Sequence, residues 1–597
     1  MCRIAGVISK TNTIAALTSQ VKQMCTLLKH GGPDGEGVYE VPNCNIVLGH
    51  RRLALLDLST AGHQPMHYLN RYSITYNGEL YNYIALKNEL IADGYYFQNN
   101  TDTEVILAAF AKWNTNAFAK FNGMFAFALW DDEVNKMYLV RDRVGVKPLY
   151  FSIYNNSLAF ASEVKAFKAI PHLQVINSHA NIYQLAYGFI PEPYTTLQHV
   201  QALPKGCFLT YNYFTNTSNL QTFAFSSFSS QITNYTNAKA QINTSLDAAV
   251  QNQMAADARV GLFLSGGIDS TILANLASKN KLKEIHTVSI YFNEKSYSEK
   301  KYQDIVANQI GSTHHSVLLT QQHFNTHFST ILSNMDMPSC DGINTWFISK
   351  YASTEGLKAV LSGIGADELY GGYPSFDRIN KAIILQKLPA ALLQLLSKTS
   401  QSKYSRLSYL KIKGMQGLYL FLRGHFTPIQ IAQQLGSYEN EVWQVLQQEY
   451  ASPTFYKMES KNMASWLEYN YYMQNQLLKD ADVMSMAHGV EIRVPFLDNN
   501  VVDTAFKIVP KIKYSGKNSK QILIDSFSAI LPKEIWDRPK MGFSFPFAQW
   551  LNNCEYVKAL SISNNKATQK ACIDFANGHL HWSRILSLIL IEQGIKN

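Results

Sequence analysis

Two hydrophobic periodicities divide the chain. Over residues 1–210, short apolar runs of strand length alternate with turn residues: IAGVI, RYSITY, then FAFALWD and KMYLVRD around DEVN, then PLYFSIY and SLAFAS around Asn155-Asn156. The last four runs predict two antiparallel hairpins. Asn77-Gly78 reads as a turn after RYSITY, and a helix is predicted from Tyr81 to Ile91. This part therefore reads as layered antiparallel sheet with a few helices, an α+β arrangement.

From about residue 239 the pattern changes. VGLFLS precedes a helix from Asp269, IHTVSIYF precedes one across 298–310, and AVLSG leads into a third. Apolar strands alternating with helices predict an α/β unit with a parallel sheet covered on both faces. Residues 376–480 read as mostly helical additions. Between the two patterns, residues 213–238 lose periodicity and fill with Ser, Thr, Asn and Gln, which predicts a linker between domains at 2–212 and 239–597.

Composition narrows the class. At 597 residues, two domains of ordinary size are expected. The 46% hydrophobic and 16% charged content is that of a globular protein, and the charge of +9 is thinly spread without a basic run, so no nucleic-acid partner is expected. Seven scattered cysteines with no C-x-x-C pair argue against a disulfide framework and a zinc site. The first twenty residues hold no long apolar run, and the most apolar stretch, 382–398, is broken by Lys387 and Pro389. Neither a signal peptide nor a membrane partner is expected, and a reduced, cytoplasmic enzyme is the default.

Cys2 is the first candidate for chemistry. Removal of Met1 would leave its α-amine, with an ordinary pKa near ~8, beside its own thiol, so that one residue supplies nucleophile and base. The alternative is a small buried residue opening a strand.

The strongest local motif is Leu264-Ser265-Gly266-Gly267-Ile268-Asp269-Ser270, where an apolar strand runs into a tight turn that opens a helix. The glycines let backbone approach a ligand, and the free N–H groups of the helix start suit an anion. Asp269 there calls for a bridging Mg²⁺ if that anion is phosphate. A second such junction, Leu361-Ser362-Gly363-Ile364-Gly365-Ala366-Asp367, falls at the same edge of a parallel sheet, where doubly wound folds bind ligands. Lys520 is a candidate phosphate cation.

Together these residues, with Leu477 to Asp482 and Glu491 to Asp498, resemble the glutamine-dependent asparagine synthetase family over most of the chain. The resemblance implies an amino-terminal αββα sandwich glutaminase of the class II, amino-terminal-nucleophile type. It also implies a carboxyl-terminal doubly wound pyrophosphate-loop ATPase. By the same matching, Cys2 is the nucleophile, and Asn77 and Gly78 form the oxyanion hole. Arg52 grips the glutamine carboxylate, and Glu79 and Asp102 accept from its amide and ammonium ends. Leu264, Ser265, Gly266, Gly267, Asp269, Ser270, Ile290, Ser362, Gly363 and Lys520 fall at ATP contacts. Asp269 and Asp367 fall at Mg²⁺ positions. The implied substrates are glutamine, ATP and an acceptor carboxylate, with ammonia passing between sites, and family members are often homodimers.

Three positions depart from the family pattern. Arg3 stands where the family has glycine, and Gly31 where it has arginine, which predicts that Arg3 supplies the guanidinium that residue 31 lacks. Ile364 stands where the family has a glutamate used at the acyl-adenylate step. Aspartate is therefore one acceptor reading, a uronic acid of a surface polysaccharide the alternative, and a non-catalytic binding protein the remote one.

Overall fold

The computed structural model describes residues 2–279, 284–398, 405–448, 458–542 and 544–593. Whether Met1 is retained lies outside the described residues.

Two six-stranded antiparallel sheets make the amino-terminal half. The first runs in the order Gln201–Ala202, Tyr150–Tyr154, Ser157–Ala161, Arg3–Ser9, Ile46–Arg52, Gly35–Glu40. The second runs Ser218–Thr222, Cys207–Asn212, Lys136–Arg141, Gly123–Asp131, Tyr72–Leu80, Met66–Tyr68. Both hairpins form as the turn chemistry predicts. Side chains alternate across each strand, so Ile4 and Ile8 face the second sheet, while Ala5 and Val7 face helix Ile14–Leu27. A strand buried on both faces reads as the near-continuous apolar run RIAGVIS, every residue of which is buried. Gly6 belongs to the inner face, where the ring of Phe160 occupies the place of a Cβ at 2.3 Å. Helices Tyr83–Ala92 and Asp102–Trp113 cover the second sheet through Leu86, Leu90, Val105 and Ile106. The result is the four-layer αββα sandwich.

Two local expectations change. Asn77 and Gly78 do not turn; they continue the strand Tyr72–Leu80 and pair with Ala126 and Phe125. Cross-strand pairing on a buried sheet overrides a two-residue turn preference. The segment read as linker contains the edge strand Ser218–Thr222, and helix Tyr235–Gln253 starts within it. That strand is fully exposed along its length, so its polar composition reflects solvent on an edge rather than missing structure.

The carboxyl-terminal half is built on a five-stranded parallel sheet in the order Thr313–Leu318, His286–Tyr291, Val260–Phe263, Ala359–Leu361, Glu491–Arg493. Chain order reverses between Val260–Phe263 and Ala359–Leu361, and a crevice opens at the carboxyl ends of such a pair. Both glycine turns leave these two strands. Helix Ile268–Ser278 follows the first, and the short helix Ala366–Tyr370 follows the second. Among the described residues of 376–480 the elements are helical, including a wide-turn π stretch at Glu468–Leu477 between helices Ser460–Leu467 and Leu478–Met486. No helix among the described residues is long and apolar enough to cross a membrane.

Candidate active sites

Cys2 lies at the mouth between the two antiparallel sheets. Its backbone N–H donates to Asn77 Oδ1 at 3.2 Å. Asn77 is buried, and its Nδ2 has no acceptor among the described residues, so a side-chain donor is left over beside the thiol. Gly78 has φ +155°, and a Cβ there would meet the Met124 carbonyl at 2.1 Å, so this close strand pairing requires glycine. Burial raises the Cys2 thiol pKa, and the nearby amino-terminal charge only partly offsets this. A thiol so placed needs a base to become a nucleophile.

One pocket is lined by Cys2, Arg52, Gly78, Glu79 and Asp102, five of the residues assigned to glutamine. Arg52 reaches the carbonyls of Asp57 and Ser59, which fixes its guanidinium at the rim. Asp102 Oδ2 accepts from the Leu80 N–H and the Tyr76 hydroxyl, both at 2.8 Å, and burial lifts its pKa to about 6. Glu79 is raised well above the carboxylate range by burial, against the pull of Arg493.

Arg493 comes from the parallel sheet. Its Nη2 lies 3.4 Å from Glu79 and its Nε 2.7 Å from Glu491. Burial works against ionisation of Glu491, but the amino-terminal charge, Arg493 and Lys147 hold it at about 2. A residue of the other half of the chain therefore touches Glu79 of this pocket, a contact the resemblance did not indicate.

The second site lies at the sheet crevice. Gly266 adopts φ +78°, and the Gly267 N–H and the Ser270 hydroxyl both meet Ser265 Oγ, at 3.3 and 3.0 Å. The second loop comes into direct contact with the first: a Cβ on Gly363 would meet Asp269 Cβ at 2.9 Å. Leu264 and Ile290 are buried at the strand ends, and the Ser362 N–H donates to the Arg493 carbonyl at 2.9 Å.

Lys520, in the left-handed region at φ +58°, sends Nζ to within 2.7 Å of both Asp269 oxygens and 2.6 Å of Asp367. It is buried rather than solvated. Burial raises the Asp269 pKa, and the neighbouring Asp367 adds to this against Lys520. Burial also opposes ionisation of Asp367, yet Lys520 and Lys540 hold it at about 2.

Two cations here were not foreseen. Lys540 Nζ donates to Asp367 Oδ2 at 2.7 Å, and Arg538 Nη2 donates to the Gly266 carbonyl at 2.9 Å and to Glu299 at 2.7 Å. Their signal was Arg538-Pro539-Lys540, two cations flanking a proline in a loop. No cluster of three or more metal-ligating side chains occurs among the described residues. The two carboxylates nevertheless face one point now taken by a lysine cation, and carboxylate oxygens are the donors a Mg²⁺ ion prefers, so the residues fit such an ion.

Ile364 is half-buried and packs against the apolar core. Four residues on, Glu368 accepts from the Gly365 N–H at 3.1 Å and the Tyr373 hydroxyl at 2.6 Å, and burial beside Asp367 lifts it to about 7.

A sandwich presenting the Cys2 thiol near its amino terminus, joined to a doubly wound sheet with two convergent glycine loops, defines a glutamine-dependent amidotransferase with a ligase half. Comparison with known proteins agrees. Residues 241–576 match the asparagine synthase family, and residues 1–245 match the glutamine amidotransferase domain. The chain belongs to the asparagine synthetase family. Glutamine-hydrolysing asparagine synthetase 1 of Bacillus subtilis (strain 168) is 31% identical over 578 residues, covering 93% of this chain and 88% of that protein. A putative glutamine-hydrolysing asparagine synthetase 2 of Methanocaldococcus jannaschii is 33% identical over 445 residues, 70% of this chain and 83% of that one. Asparagine synthetase B of Escherichia coli (strain K12) is 25% identical over 594 residues, 95% of this chain and 86% of that one.

Proposed function

We propose that Cys2 takes the γ-acyl group of glutamine, and that the ammonia released converts an ATP-activated carboxylate into an amide, with aspartate as the acceptor. The observation that carries the glutaminase step is the unpaired Asn77 Nδ2 beside Cys2. That donor and the Gly78 N–H would meet the oxygen on which charge develops, with Arg52, Glu79 and Asp102 holding the two ends of glutamine. The α-amine of Cys2, freed of Met1, would take the thiol proton.

At the second site, the backbone of Ser265 to Gly267 and the hydroxyl of Ser270 would cradle pyrophosphate, and Ser362 and Gly363 would bound the nucleotide, with Leu264 and Ile290 beneath it. Lys520, Lys540 and Arg538 bring three cations to the loops, matching a leaving group that gains negative charge. Asp269 and Asp367 would hold a Mg²⁺ ion, which supplies further positive charge to the phosphates when bound. The acceptor carboxylate attacks the α-phosphate, pyrophosphate leaves, and ammonia then displaces AMP. A reduced cytosolic setting and a homodimer remain part of this reading.

Ile364 favours one further reading, the same chemistry on a uronic acid, because an apolar side chain can neither shuttle a proton nor hold an ammonium group. ATP–pyrophosphate exchange with aspartate against a panel of uronic acids tests the acceptor. Exchange with aspartate supports the first reading; exchange with a uronic acid alone overturns it.

A further inference from the structure

Arg3 follows Cys2 directly and is wholly buried. Its Nε donates to Glu163 Oε1 at 2.6 Å, and its Nη1 lies 2.8 Å from Asp482 Oδ2. Glu163 belongs to the antiparallel half and already has two other partners, the His30 ring at 2.9 Å and the Lys165 ammonium at 2.6 Å. Asp482 lies on helix Leu478–Met486 of the other half, and its second cation, Lys147, stands back at 3.9 Å. What Arg3 adds is therefore the close contact to Asp482, which Lys147 does not make.

Room for this side chain exists because residue 31 has no Cβ. A Cβ on Gly31 would lie 2.7 Å from Arg3 Cγ and 2.8 Å from its Nε. A side chain at position 31 would require Arg3 to leave its present place, which links the two departures in steric terms.

The pair also has a physical connection at each end. On one side, Cys2 and Arg3 are consecutive, and the Cys2 N–H is bound to Asn77. On the other, the helix carrying Asp482 leads into strand Glu491–Arg493, whose Arg493 carbonyl holds the Ser362 N–H of the second glycine loop. A buried guanidinium–carboxylate pair resists separation, because either partner alone is an uncompensated charge in the interior. A shift of that helix is thus passed to the residue beside the nucleophile.

We propose that the Arg3–Asp482 ion pair is a cross-domain strut that makes glutamine hydrolysis at Cys2 respond to the nucleotide loops, with Arg3 acting as a positioning residue. The inference rests on the reading of Cys2 given above. The test measures glutamate release by the full chain with and without MgATP, alongside ammonium-supported ATP–pyrophosphate exchange.

In the parent enzyme MgATP is expected to raise the glutaminase rate about five-fold or more. In Arg3→Gly and in the near-isosteric Asp482→Asn, that stimulation is expected to vanish while exchange stays within about two-fold of the parent. The double change Arg3→Gly with Gly31→Arg is expected to regain it, since residue 31 then has both the space and the guanidinium. Stimulation that persists in Asp482→Asn, or a parent rate indifferent to MgATP, would overturn the strut; the Asp482 variant decides the matter even where Arg3→Gly fails to fold. Cys2→Ser separates the two ideas. If it keeps glutaminase activity, the nucleophile reading fails; if it loses that activity while the Arg3 variants stay coupled, the strut alone fails.

Discussion

The guanidinium of Arg493 stands 3.4 Å from the carboxylate of Glu79, so a strand of the parallel sheet touches a residue that lines the pocket at Cys2. Arg493→Ala would leave Glu79 and Glu491 buried with a shared countercharge removed. Loss of one partner of a buried ionic network costs about 3–5 kcal/mol, which urea denaturation would read as a lowered midpoint. An unchanged midpoint would show that the network relaxes at no cost.

Asn77→Ala removes the unpaired donor beside Cys2 while keeping the strand. The expected outcome is a fall in glutaminase kcat of about 10²–10³-fold, with ammonium-supported synthesis retained. Gly78→Ala should be worse for folding, because the added methyl must displace the Met124 carbonyl. A Gly78→Ala protein of normal melting temperature and activity would contradict the close strand pairing.

Asp102 predicts a pH dependence of known sign. Its folded pKa, about 6, lies above its ordinary value, so folding takes up a proton there. The group's contribution to stability is fully present below its unfolded pKa, near ~4, and is lost as pH rises through about 6. Activity should run the other way, with kcat/KM for glutamine rising as the carboxylate forms to meet an ammonium. Asp102→Asn should flatten both profiles and weaken glutamine binding; a pH profile identical to the parent would remove Asp102 from the site.

Lys520→Met takes away the cation shared by Asp269 and Asp367. The two carboxylates then repel each other, with Lys540 left at 2.7 Å to answer Asp367. ATP–pyrophosphate exchange is expected to fall by about 10²-fold or more, with basal glutaminase activity unchanged. Exchange at the parent rate would mean the lysine serves only the apo arrangement.

Much of this was readable along the chain. Both hairpins, the strand–helix alternation after 239 and the two glycine turns follow from periodicity and turn chemistry, which are local. Asn77-Gly78 misled for the same reason: a dipeptide that favours a turn in isolation is held straight by pairing to Ala126 and Phe125, a contact invisible in sequence. Lys520 was legible as a candidate phosphate cation, but only the fold puts it between two carboxylates that lie 251 and 153 positions earlier in the chain.

The sequence by itself determined where Cys2, the two glycine loops and their carboxylates sit relative to their strands, because spacing on a strand or helix start dictates direction. Tertiary structure alone decided that Arg493 meets Glu79, that Arg3 fills the space beside Gly31 and that Asp482 answers it. Those are pairings of buried charges across distant segments, and no local preference encodes which partner a buried charge will find.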